Sequence, residues 1–293
     1  MKKKIFALMM SAVLALSFAA CGNKAAGGEA GAAGTEEEKV DAYAAAQENM
    51  KSVTNMNYEM VMEMDMSMGA NGETQGVETV TTMQIAYFSD PVHMKIDMKM
   101  DMGDLGNAEQ TMYMDTDENG TMTMYMNDGT GWSAQEVATV DMEQYDARAN
   151  MLSNLDSSYN YVEAGMEQVD GKNAYKYTGA ITGNAMNETI LSSGALNSLS
   201  SLGIGESELE SMMSDLGEIP VVLWIDEESL YPVKCEMDMT AVMSKLMSNM
   251  MEAMGDQAGG MTIEIPNMKV TVNCFDFNAA TDFEIPAEAK SVA

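Results

Sequence analysis

Two hundred and ninety-three residues allow one large domain or two small ones, with enough chain to bury a core. The formal net charge of −31, from 46 acidic against 15 basic side chains, repels phosphate backbones and excludes nucleic acid as a partner. One histidine, His93, and one arginine, Arg148, leave no multi-histidine metal centre and a single imidazole for acid–base chemistry.

The chain opens with Lys2, Lys3 and Lys4, then an apolar run from Ile5 to Leu16. A positive stretch before a short apolar one predicts a signal peptide over residues 1–20, too short for a membrane span. Its end, Leu16-Ser17-Phe18-Ala19-Ala20-Cys21-Gly22, resembles a bacterial lipobox. Cys21 is therefore expected to carry a diacylglyceryl group and become the new N-terminus, with palmitate-type chains anchoring the protein to the outer face of the cell membrane. Losing the three lysines takes the mature charge from −31 to −34. Residues 21–35, mostly Ala and Gly, lack side chains that could build a core and predict a flexible tether.

Residues 36–293 read as one domain. A helix is expected over Glu36–Met56, capped by Thr35, with Val40, Tyr43, Gln47, Met50 and Val53 on one face. From Tyr58 to Met68, large apolar side chains alternate with Glu59, Val61, Glu63, Asp65 and Ser67, which is the period of a half-buried strand. Further strands are expected over Val77–Phe88 and Val92–Met102. Gln110–Thr116 and Thr121–Met126 should form a hairpin across Asp117-Glu118-Asn119-Gly120. Met142–Leu155 reads as a helix, Tyr159–Ala164 and Ala174–Ile181 as short strands, and Asn184–Leu216 as helix or loop. The strand Pro220–Asp226 turns through Asp226-Glu227-Glu228-Ser229 into Tyr231–Met239. Met239, Met243, Leu246, Met247, Met250 and Met254 then recur at helical spacing over Thr240–Met254. A last strand spans Met261–Phe277. Cys235 and Cys274 fall on apolar strand faces as buried thiols, with a disulfide permitted by the compartment.

The opening helix, the strand meander, and the hairpin Val222-Leu223-Trp224-Ile225-Asp226 … Leu230-Tyr231-Pro232-Val233-Lys234 resemble the LolA/LolB/LppX lipoprotein-carrier superfamily. The closer resemblance is to its Gram-positive surface lipoproteins, and the closing Asp282-Phe283-Glu284-Ile285-Pro286 is similar to their ending. The resemblance implies an α+β fold: a strongly curved antiparallel sheet, an unclosed half-barrel, with helices on the concave side and a hollow for acyl chains between them. Carriers of this kind hold their helical lid with an arginine on a strand. Arg148 lies on a predicted helix, so that device does not carry over.

Fifteen methionines lie between Met60 and Met126, nearly all on one strand face, and three readings of them stay open. They fill a core in place of Leu, Ile and Val; they line an adaptable hollow; or their thioethers hold Cu(I). The ligand-lining candidates are Met60, Met62, Met64, Met66, Met94, Met98, Met100, Met112, Met114, Met122, Met124, Met243, Met247 and Met250. Asp115-x-Asp117-x-Asn119-Gly120 opens like a calcium loop. Met126 stands where that loop needs glutamate, so a plain hairpin is expected and no metal is assigned. No catalytic motif occurs, and neither an enzyme activity nor a cofactor is expected. The function expected is an anchored surface lipoprotein binding lipid or another apolar small molecule. The alternative is an envelope structural or interaction protein whose methionine core is merely packed.

Overall fold

In the computed structural model, residues 41–70, 73–137, 146–182, 215–254 and 262–292 are described. The expected signal peptide, Cys21, the tether and most of Asn184–Leu216 lie outside them. The first described element is helix α1, Ala42–Lys51, whose N-terminus is capped by Asp41: its carboxylate accepts the Ala44 amide at 3.1 Å. The expected continuation to Met56 is corrected. The helix ends at Ser52, and strand β1 begins at Asn55. Met50 and Val53 extend the helical period, but from Met56 onward the two-residue alternation of β1 takes over.

Alternation then builds β1 (Asn55–Ala70), β2 (Glu73–Ser89), β3 (Val92–Asp101), β4 (Asn107–Thr116), β5 (Met122–Asn127) and β6 (Trp132–Val137). Each pairs antiparallel with the next. The β4–β5 turn is held by Asp117, whose Oδ1 accepts the amides of Asn119 at 2.9 Å and Thr121 at 2.8 Å. Helix α2 (Ala147–Asn154) follows; of the helix expected from Met142, residues 142–145 lie outside the described ones. Tyr159 belongs to a single 3-10 turn, not to a strand as expected. The chain continues as β7 (Val162–Val169), β8 (Lys172–Thr182), β9 (Glu218–Asp226), β10 (Pro232–Asp238), α3 (Thr240–Met254), β11 (Thr262–Phe275) and α4 (Ala287–Lys290).

The eleven strands form one antiparallel, unclosed sheet ordered β6-β5-β4-β3-β2-β1-β11-β10-β9-β8-β7. Two meanders meet where β1 pairs with β11, so consecutive strands β6 and β7 stand at opposite edges. Side chains on one face bury against the helices: Val242, Met243, Leu246 and Met250 of α3 pack into the same apolar cluster as Met60, Met62, Val270 and Val272. The opposite face carries Glu63 and Glu78 in solvent. Over β4–β6 the closing segment covers part of that outer face, with Phe283, Ile285 and Ala289 packed on Tyr113, Tyr125 and Trp132.

Candidate functional site

The register turns the methionine alternation into rungs that run across the sheet. Met60 lies opposite Met83, which lies opposite Met98; on its other side the rung continues through Val272, Cys235 and Leu223 to Tyr177. One step along, Met100, Thr81, Met62, Val270, Met237 and Val221 form the next rung. Toward the α1 end, Met56, Tyr87, Met94, Met114 and Met124 form another. Because every partner sits at the same phase of the pleat, a period of two in each strand becomes a continuous apolar surface in the sheet.

Thirteen of the fourteen expected lining residues come together here. Met60, Met62, Met64, Met94, Met114, Met122, Met243 and Met250 are buried in one cluster, and Met98, Met100, Met112, Met124 and Met247 pack half-buried against it. Met66 is buried but stands outside that cluster, beside a groove of about 640 Å³ at the far end of β1 and β2. The groove is lined by Met66 itself with Val77, Met102, Leu105 and Pro266, and by Asp65, Ser67, Gln75, Glu78 and Asp104. Its three carboxylates set it apart from the methionine cluster.

Sequence reasoning missed Met56, Met83, Met151, Met237 and Met268 as members of this surface, and Tyr58, Tyr87, Thr79 and Thr81 with them. Met83 could have been found from hairpin register, since the β1–β2 pairing sets it opposite Met60. Thr79 and Thr81 stand on the methionine face of β2, 3 % and 0 % exposed. Their hydroxyl oxygens are the buried side-chain oxygens or nitrogens that have no hydrogen-bond partner among the described residues.

Polar contacts tie the helices to this surface. Tyr87 Oη donates to Asp146 Oδ1 at 2.7 Å, while Arg148 Nη2 donates to Asp146 Oδ2 at 3.2 Å and the Ala149 amide to Oδ1 at 3.0 Å. Burial and the Asp146 carboxylate push the Tyr87 phenol well above its usual range, so it stays a donor. At the other end of α2, Tyr161 Oη donates to the Asn154 carbonyl at 2.8 Å; Tyr43 Oη and Gln47 Nε2 donate to that of Leu155, each at 2.6 Å. Carbonyls that a helix leaves open at its C-terminus are thus satisfied by α1 and by the residue before β7.

The remaining candidates fall elsewhere. Cys235 and Cys274 are buried and form no disulfide among the described residues; burial, then the neighbouring Glu236, pushes the Cys235 thiol up to about 12. His93 lies beyond the methionine surface, its Nε2 2.9 Å from Asp282 Oδ1 and its ring between Phe88 and Phe283. Trp224 of the late hairpin donates to Glu167 at 3.0 Å, with Lys176 and Lys234 over its ring, so it braces β7–β10 and does not face the methionines. Among the described residues, no group of three or more His, Cys, Asp or Glu side chains could hold a metal ion. No helix among them is long and apolar enough to cross a membrane.

Residues 37–293 match a family described as a family of unknown function (DUF6612). Solved structures similar to this chain include LprF from Mycobacterium bovis (13% identity, 84% of this chain and 95% of that one, TM-score 0.47). Lipoprotein LppX from Mycobacterium tuberculosis is another (11% identity, 83% and 96%, TM-score 0.44). A LolA superfamily protein from Nitrosomonas europaea is a third (8% identity, 83% and 93%, TM-score 0.22). No curated protein sequence matches. The unclosed antiparallel sheet with helices on one face is the arrangement expected from the sequence.

Proposed function

The chain belongs to the DUF6612 family, and we propose that it is a membrane-anchored surface lipoprotein that binds an apolar ligand, a lipid, between its curved sheet and its helices. The observation that carries this reading is the methionine surface itself, continuous across β1–β5 and met by the methionines of α3. Unbranched thioether side chains change rotamer at little cost, so a surface built from them reshapes around guests of different form where leucine or valine would not. Cys21 supplies the anchor, and the protein has no catalytic role. Its place is extracytoplasmic, on the outer face of the cell membrane.

Native mass spectrometry of the purified mature protein, with extraction of its lipid, tests the binding. The expected result is a co-purifying apolar species and a fluorescence gain when N-phenyl-1-naphthylamine is added to stripped protein. Recovery without lipid and without that gain would refute it. The second reading, a merely packed core, draws on the near-complete burial of Met62, Met83 and Met114, and that same negative result is what it predicts. For the anchor, Cys21→Ala should release the protein from membranes; unchanged fractionation would overturn the lipid attachment.

A further inference from the structure

Between Val77 and Tyr87 the inner face of β2 is mostly apolar: Val77, Met83, Ile85 and Tyr87 are buried there. Thr79 and Thr81 interrupt that run with two hydroxyls, although valine has the same shape and already serves at position 77. Thr81 lies between Met62 and Met100, and Thr79 faces Met64. Neither hydroxyl has a hydrogen-bond partner among the described residues. An unmet buried hydroxyl destabilises the fold, and water finds no ready place among thioethers and methyl groups. Two residues apart on one strand face, the oxygens are separated by about 7 Å, too far to satisfy each other.

We infer that Thr79 and Thr81 are the polar foothold of the apolar site and that they hold the oxygens of a neutral lipid ester. This deepens the lipid-binding reading above and rests on it. Each hydroxyl donates to an ester carbonyl or accepts from an alcohol, and the spacing suits a molecule with two such oxygens, of the diacylglycerol kind. Charged head groups are excluded by the surroundings. The cations of β3 occupy the other face, Lys95 engaged with Asp97 at 2.6 Å and Lys99 in solvent, so a carboxylate or phosphate here would be buried without a counter-charge. A plain hydrocarbon leaves both hydroxyls unmet.

The test is competition against bound N-phenyl-1-naphthylamine in wild type and in Thr79→Val/Thr81→Val, with dioleoylglycerol and octadecane as competitors. Dioleoylglycerol should need about ten- to a hundred-fold more to displace the probe from the double variant, the loss of two hydrogen bonds. Octadecane should displace it equally from both. The ligand-free double variant should also melt higher than wild type, because two unmet hydroxyls are gone. Thr81→Ser, which keeps the oxygen, should retain the wild-type preference, and Thr81→Val alone, with a loss of about three- to ten-fold, serves if the double variant does not fold. Equal displacement by dioleoylglycerol from wild type and variant, with the probe bound by both, would overturn the foothold alone. No probe binding by wild type would overturn the apolar site, and the foothold with it.

Discussion

Asp226 shows how much one side chain fixes. It closes the β9–β10 hairpin, and its Oδ1 accepts the Glu228 amide at 3.2 Å and both the Ser229 amide and hydroxyl at 2.7 Å. Burial pushes its carboxyl up, but the Ser229 amide and hydroxyl, with Lys172 and the Glu228 amide, outweigh that, and it titrates below the usual 3.8. A group depressed in the folded state stabilises above its unfolded value and loses that contribution as pH falls through its folded value. Asp226→Ala should therefore cost about 1.5–3 kcal/mol at pH 7, the range for hydrogen bonds to a charged group, and the gap from wild type should narrow below pH 3.8. Urea unfolding of both proteins at pH 7 and pH 3 measures it; a gap that widens in acid would contradict the assignment. A neighbouring case of close fit is Gly179, where a Cβ would come within 2.5 Å of the Tyr159 carbonyl and 2.9 Å of the Tyr161 ring. Only glycine lets the chain after α2 cross β8 so closely.

At the scale of elements, α2 illustrates a helix that its own sequence does not sustain. Eight residues form two turns, too short to persist alone in water. Bonds from other elements hold both of its ends, and Tyr87 reaches one of them from the sheet. Tyr87→Phe leaves the ring in place and removes only the donor. Asp146 keeps Arg148 and the Ala149 amide, so the loss should be about 1.5–3 kcal/mol, with an unfolding midpoint that falls at unchanged denaturant slope. A loss below about 0.5 kcal/mol would show that α2 is held without this bond. None of this was readable in the sequence, because Tyr87 and Asp146 are 59 residues apart and no local period links them. The strands and α3 were legible for the opposite reason. Met60 to Met68 alternate, Met239 to Met254 recur every three or four residues, and each period belongs to one element alone. Thr79 and Thr81 stayed invisible because threonine fits either face of a strand. They share the phase of Val77, Met83 and Ile85, and the register sets them against Met64 and Met62, but the residue type alone does not mark them.

The molecule as a whole combines a core joined across great sequence distance with a surface of one sign. The β1–β11 pairing, Met60 beside Val272 and Met64 beside Met268, makes one sheet of two meanders. Pairs so remote must close a long loop before they stabilise anything, so the charge on the chain opposes the compact state through the whole of assembly. Against 46 acids stand only 15 basic residues; among the described residues the pairs Lys51 with Glu48 and Lys99 with Glu109 stand in solvent, where each contributes little, while Lys95 with Asp97, Lys176 with Glu167 and Lys234 with Glu236 are half-buried. Repulsion among the outward carboxylates should therefore dominate the response to salt. Screening shortens from about 30 Å to about 10 Å between 0.01 M and 0.1 M ionic strength, which weakens repulsion across the sheet more than it weakens contacts at hydrogen-bond distance. Thermal melting of the mature protein should shift upward by several degrees over that range, and magnesium chloride at matched ionic strength should act as sodium chloride does. A Tm that falls with salt would mean that attraction between charges, not the burial of the methionine surface, holds this sheet to its helices.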